Sequence, residues 1–258
     1  LRLLLVFLML AVAGNQSLAA EVIGGPAAGC LRGGQALALD SADYQVLRQS
    51  RQRFWGHPAT VRLVQSLAAA NAADGQGTLL IADMAQARGG PMPSGHASHQ
   101  NGLDVDIWFR LAARPLAKAD LDAPRPLPMV RVGGVTEHWS EAQARLLERA
   151  ARTPEVDRIF VNPVIKQAMC RRAKDGERDW LGKLRPWWGH DEHFHVRMVC
   201  PADSPDCEGQ KPFPEGDGCG AELDSWMAKP TFPAPPERPH VQVRPMPEAC
   251  VALLGTKP

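Results

Sequence analysis

Five of the eight histidines fall in two short stretches, "SGHASHQNGLDVDIW" (Ser94 to Trp108) and "WWGHDEHFHVRM" (Trp187 to Met198). Aspartates and a glutamate stand among them. Imidazole nitrogen and carboxylate oxygen are the donors that zinc takes in a tetrahedral shell. A catalytic zinc keeps three protein ligands and leaves the fourth position to water. His99, Asp106 and His195 can supply such a set, His99 from a loop and the other two from separate strands. Bound zinc lowers the pKa of water towards about 7. A neighbouring imidazole, with an ordinary pKa of about 6.5, can then carry the proton. His193 shares a strand face with His195 and is the first candidate for that work. Glu192 stands next to it in the chain, although regular alternation would turn it to the opposite face.

The elements around these residues are readable from periodicity. "LDVDIWF" (Leu103 to Phe109) alternates, so that Asp104, Asp106 and Trp108 share one face of a half-buried strand. "HFHVRMV" (His193 to Val199) alternates too, with His193, His195 and Arg197 together. Helical spacing runs through Pro58 to Gly75. A second helix covers Trp139 to Thr153, where Ser140 and Gln143 fit a capping box. "TLLIADM" (Thr78 to Met84) and "VDRIFVNP" (Val156 to Pro163) read as strands, and Val164 to Ala173 as a helix. Gly and Pro make Ala87 to Gly95 a loop. Strands interspersed with helices predict an α+β fold with a small, largely antiparallel sheet flanked by helices.

The chain has 258 residues and a formal charge of +1. This balance gives no sign of a nucleic-acid partner. Arg2 precedes an apolar run, and small residues follow near Ala19 and Ala20. Residues 1–20 therefore read as a signal peptide, with no stable membrane insertion after its cleavage. "AAGC" (Ala27 to Cys30) lies too far beyond the apolar run for lipid attachment. The six cysteines form no C-x-x-C pair, so a thiolate zinc site is not expected. In a secreted chain they suggest three disulfides, whose pairing spacing alone leaves open. Cys200 with Cys207 would close a local loop and Cys30 with Cys250 would join the ends, leaving Cys170 with Cys219. Residues 21–228 read as the catalytic domain. Residues 229–258 form a Pro-rich extension, extended and mobile over Lys229 to Pro247 and tied back through Cys250.

The spacing H-x-x-G-x-x-x-D at His99, Gly102 and Asp106, with a later H-x-H, resembles the zinc peptidases that include lysostaphin, D-Ala-D-Ala carboxypeptidases and vancomycin-resistance dipeptidases. Longer stretches resemble one branch of that group. These are "RQRFWGHP", "GGPMPSGHASHQNGLDVDIW", "RIFVNPVIKQ", "DWLGKLRPWWGHDEHFHVRMVCPADS" and "GDGCGAELDSW", and they look like the penicillin-insensitive murein endopeptidase family of Gram-negative periplasms. The resemblance runs from about Cys30 to Cys250. It implies a hedgehog/DD-peptidase-like fold braced by the three disulfides, whose family pairing agrees with the one above. It also implies His99, Asp106 and His195 as ligands of one zinc ion, and places His193 at the general base, with Glu192 as its rival, since the dipeptidase relatives place a catalytic glutamate three residues before the last ligand histidine.

His96 and His190 match the family too. His96 is expected beside the zinc rather than on it, and a second metal would need ligands that Met129 to Val135 lack. His190 would hydrogen-bond substrate or stabilise developing charge. Asp104 would accept a hydrogen bond from a ligand histidine. Trp187 and Trp188 would wall the cleft or pack in the core, and Arg197 would meet a substrate carboxylate or form a salt bridge. His57 is read as structural.

The implied substrate is peptidoglycan in the periplasm, at the D-alanyl to meso-diaminopimelyl bond between stem peptides. The chain has no S-x-x-K motif of the kind β-lactam-sensitive enzymes use. Penicillin should therefore not inhibit it, and a chelator should. A D,D-carboxypeptidase of the same superfamily and a non-catalytic wall-binding module are the other readings. The sequence leaves oligomeric state open, a homodimer included.

Overall fold

A computed structural model describes residues 19–93, 95–174, 176–230 and 244–255. The expected signal peptide, apart from its last two residues, and most of the Pro-rich stretch lie outside the described residues.

Six strands form the central sheet: β1 (Tyr44–Val46), β2 (Leu79–Ile81), β3 (Asp104–Trp108), β4 (Val156–Val161), β5 (Leu184–Pro186) and β6 (His193–Met198). Their order is β5-β4-β6-β3-β2-β1. The inner four are antiparallel, whereas β4/β5 and β1/β2 are parallel. The sheet is thus mixed and wider than periodicity predicted. Parallel neighbours need a long crossover, usually helical. Helix α1 (Pro58–Ala73) supplies it between β1 and β2, and helix α3 (Pro163–Arg172) between β4 and β5. The helices were legible in the sequence. The three-residue edge strands they serve are too short to show a period.

Local chemistry fixes the helix starts. His57 caps α1 through Nδ1, which accepts from the Ala59 N–H, and Pro58 takes the first turn. In α2 (Glu141–Arg152), Ser140 and Gln143 form the expected capping box. Asn162 caps α3 just before Pro163, so the strand ends at Val161 rather than at Pro163. Helix α4 (Ala221–Met227) and helix α5 (Glu248–Leu254) were not anticipated; each spans only seven residues.

One face of the sheet carries the core. Val105, Ile107, Ile159, Val161, Phe194 and Val196 pack with Val64 and Leu67 of α1, Leu146 and Leu147 of α2, and Ile165 of α3. The opposite face holds Asp104, Asp106, His193, His195 and Arg197. It is not open along β3, where every residue is buried. The expectation of a half-buried strand fails because the loop bearing His96 and His99 lies over that face, and a hairpin backs that loop. The hairpin pairs Glu21–Gly25 with Ala28–Arg32. It holds the loop leading into β3 through Leu31 N–H to Arg88 O, Gln100 N–H to Pro26 O and Asn101 Nδ2 to Gly24 O.

The disulfides are Cys30–Cys250, Cys170–Cys219 and Cys200–Cys207, the pairing expected. The first fastens α5 to the hairpin. Beside the second, Lys166 of α3 is fully buried and donates to the carbonyls of Leu181 and Asp217, at 2.5 Å each.

Candidate metal centre

The ladder between β3 and β6 sets Asp106 opposite His195, Asp104 opposite Arg197, and Trp108 opposite His193. Period two then puts all six side chains on one face. His99 arrives from the loop with φ 66°, in the left-handed region. Histidine adopts that region more readily than most residues, and here the backbone N–H of His99 is held by Asp104 Oδ2 at 3.0 Å. Gly102, also left-handed at φ 81°, lets the loop close under Leu31. Its carbonyl accepts from His57 N–H and Thr60 Oγ1, which ties the loop to the start of α1.

The predicted ligands converge on one atom. Asp106 Oδ1 lies 3.4 Å from His99 Nε2, 3.1 Å from His195 Nδ1 and 3.9 Å from His193 Nε2. The tightest groupings, with ligand atoms within 4.8 Å of one another, are His96, His99 and Asp106, and His99, Asp104 and His195. His99 belongs to both. The two carboxylates differ in what they already hold. Asp104 accepts two bonds from Arg197, at 2.7 and 2.8 Å, and one from the His99 backbone. Asp106 Oδ1, both ring nitrogens of His99, and Nε2 of His195 are buried with no hydrogen-bond partner among the described residues. His195 Nε2 stands 3.4 Å from Asp104 Oδ2 but out of line for a bond. Buried polar atoms are almost always satisfied. One nitrogen each from His99 and His195 with an oxygen of Asp106 is a donor set that a cation would satisfy, so the residues fit a metal ion.

The electrostatics agree. Burial pushes the Asp106 and Asp104 carboxyls up, but His99, His193 and His195 around the first, and Arg197 and His195 around the second, hold both well below the ordinary range. Burial lowers His195, yet the two aspartates outweigh it and bring it to about 9. The two aspartates therefore favour positive charge beside them. His99 is drawn down, chiefly by its complete burial.

Around this point stand the other residues singled out in the sequence. The His193 ring is 4.9 Å from that of His190, and its Nδ1 lies 3.5 Å from Glu192 Oε1. Glu192 does not turn away, because it precedes β6 and regular alternation does not reach it. Burial lowers His193, but Asp106 and Glu192 make the net shift upward. His190 is left-handed at φ 52°, and its Nδ1 is 2.9 Å from the Trp188 carbonyl. Burial, then His193 and His195, push it down to about 3, so it stays neutral. Trp187 is 51 % exposed and meets Phe160 edge-on, whereas Trp188 packs on Trp226 of α4. Arg197 is buried, bound to Asp104 and stacked over Phe160.

Sequence reasoning missed Asp83. It follows β2, and its Oδ2 receives Arg53 at 2.8 Å, Arg51 at 3.1 Å and His96 Nε2 at 3.0 Å. Burial raises its carboxyl, but His96 and Arg53 prevail and hold it at about 2. His96 is thereby fixed 3.6 Å from Asp106 Oδ2. The available signal was an acid at the end of the apolar run "LLIA", where a charge enters the interior only with a partner. Phe160, whose ring lies 5.3 Å from His195, was also missed. It is one aromatic in an apolar run and gave no sign.

The model of the penicillin-insensitive murein endopeptidase family matches residues 22–255. The chain belongs to that family. Penicillin-insensitive murein endopeptidases of Yersinia pestis and of Salmonella newport strain SL254 are each 45 % identical to it. The first alignment spans 91 % of this chain and 85 % of the relative, the second 92 % and 86 %. The family resemblance seen in the motifs thus extends over the whole described fold. Among the described residues, no helix is long and apolar enough to cross a membrane.

Proposed function

We propose that this chain is a zinc endopeptidase that hydrolyses the D-alanyl to meso-diaminopimelyl cross-link of peptidoglycan. The observation that carries the reading is the set of unpartnered buried atoms on His99, Asp106 and His195. Imidazole and carboxylate suit zinc better than the harder magnesium or calcium. All six cysteines are engaged in disulfides and offer no thiolate. When bound, zinc supplies Lewis acidity to the scissile carbonyl and lowers the pKa of water.

The protein supplies the rest. Asp104 is committed to Arg197 and to the His99 backbone, and so positions the loop rather than the ion. His193 takes and returns the proton at Nε2, while Glu192 faces its Nδ1 and orients the ring. His190, neutral and beside His193, offers a hydrogen bond to the bound peptide. His96, held by Asp83 3.6 Å from Asp106, would stand beside the ion. Trp187 and Phe160 wall the cleft and restrict water.

The antiparallel centre of the sheet fits the hedgehog/DD-peptidase-like class. In this reading residues 1–20 direct export to the periplasm, 21–228 form the catalytic domain, and 229–258 are an extension tied back by Cys250.

The test is mass spectrometry of cross-linked muropeptide dimers incubated with the mature protein. Dimers become monomers, a chelator stops the reaction and penicillin does not. Free D-alanine with intact dimers would make the protein a carboxypeptidase. No cleavage by zinc-loaded protein would leave a binding module.

A further inference from the structure

The ligand-bearing face is walled differently on its two sides. Towards β4 stand Phe160 and Trp187. Towards β1 the chain turns through Gln49–Arg51, with Arg48 at φ 50° and Gln52 at φ 53° on either side. Left-handed backbone is unfavourable for residues other than glycine and persists where the surroundings enforce it, often at functional sites.

The turn presents three arginines. Arg53 is buried on Asp83. Arg51, its side chain 42 % exposed, binds the same Asp83 oxygen from outside. Arg48 lies over the Trp108 ring, 5.4 Å from its centroid. Trp108 is the ladder partner of His193, so Arg48 flanks the proton carrier on the side away from Phe160. Asp83, Glu192 and Asp106 attract Arg48 from beyond ion-pair distance, and Arg51 repels it. Each of those carboxylates has another charge to serve: Asp83 has Arg53 and His96, Glu192 has His193, and Asp106 has the ligand cluster. Two guanidinium groups are left with donors to spare at the edge of the cleft. Beyond Arg51 a groove of about 550 Å³ continues past Trp55, Gln86 and Arg88.

On the endopeptidase reading, the scissile nitrogen sits on a carbon that also bears a free carboxylate. This is the unlinked carboxyl of the amine-donating diaminopimelyl residue. A guanidinium beside the reacting centre matches such a group in charge and in fork geometry. We infer that Arg48 and Arg51 form a subsite for this carboxylate. They thereby fix the direction of the substrate, with the amine-donating stem towards Arg51 and the groove beside it, and the acyl stem towards Phe160 and Trp187.

The test compares two muropeptide dimers, one with that carboxyl free and one with it amidated. The wild-type protein should favour the free form in kcat/KM by about ten- to hundredfold, the range of a charged hydrogen bond. Arg48→Gln with Arg51→Gln should bring the ratio near one, mainly through KM, and Arg48→Lys should restore part of it. Calorimetry of both dimers on the His193→Ala protein makes the same comparison without turnover. Equal handling of the two dimers by the wild type overturns the inference but leaves the endopeptidase. Discrimination that survives the double substitution overturns it as well, and so does failure of the His193→Ala protein to bind either dimer. Discrimination in binding with no cleavage by the wild type upholds the subsite and sinks the endopeptidase.

Discussion

Arg197 grips Asp104 with two bonds, of 2.7 and 2.8 Å, across the ladder that joins β6 to β3. This buried pair separates two aspartates that are otherwise alike, leaving Asp106 with the open oxygen. Breaking a buried pair by removing one partner strands the other charge, at a cost of about 3–5 kcal/mol. Asp104→Asn should therefore lower stability by about that amount, read by denaturant unfolding. It should also loosen His99, whose backbone the same carboxylate holds, and so weaken metal retention measured by elemental analysis. Unchanged stability would show that the pair does not order the site.

Metal should stabilise the fold as well as serve the chemistry. A ligand at a hundred times its Kd adds about 2.7 kcal/mol. Chelation should lower the melting temperature, and zinc should restore it. His99→Ala, Asp106→Asn and His195→Ala should each lose both the ion and the shift. A melting temperature indifferent to the chelator in wild-type protein would speak against an ion at these residues.

His193→Ala should keep the metal while kcat falls by about two to four orders of magnitude, the usual contribution of a general base. Glu192→Gln should cost less, because that carboxylate only faces the ring from 3.5 Å. The reverse ranking in steady-state kinetics would make Glu192 the base.

Stability should also depend on Lys166. Burial, with repulsion from Arg185, draws its pKa from 10.5 down to about 7. A lysine so depressed binds fewer protons folded than unfolded between those values, so stability rises with pH across that window and is flat below it. Chemical denaturation at pH 7 and pH 10 should show this gain, and Lys166→Met should abolish it. Wild-type and variant curves of equal slope would show that the burial is compensated.

The Cys30–Cys250 bridge closes a sequence separation of 220. Removing a native disulfide from a secreted domain typically costs about 2–5 kcal/mol. Cys30→Ser with Cys250→Ser should fall in that range. Hydrogen exchange should quicken in the loop over 87–101, which the hairpin holds. Exchange unchanged there would confine the bridge to holding α5.

Residue types made most of the candidate site legible. Histidines and aspartates at metal-like spacing were visible, and period two placed His193 with His195 and Asp104 with Asp106 on single faces. Which residue faces which was not visible, because register depends on pairing between strands almost ninety residues apart. The edge strands β1 and β5 were missed for their length, and Glu192 was turned the wrong way by extending alternation past the end of β6. Asp83 and the arginines before it are joined only by folding, and no local pattern links them. The six cysteines allowed the observed pairing without imposing it.

His195 and Asp106 oppose each other at one rung. A slip of one residue would bring Phe194 or Val105 to that rung and turn the donors into the core. On the proposed ligand set, only a correctly paired sheet would hold an ion, and metal occupancy would serve as a proofreading signal that the two central strands are aligned.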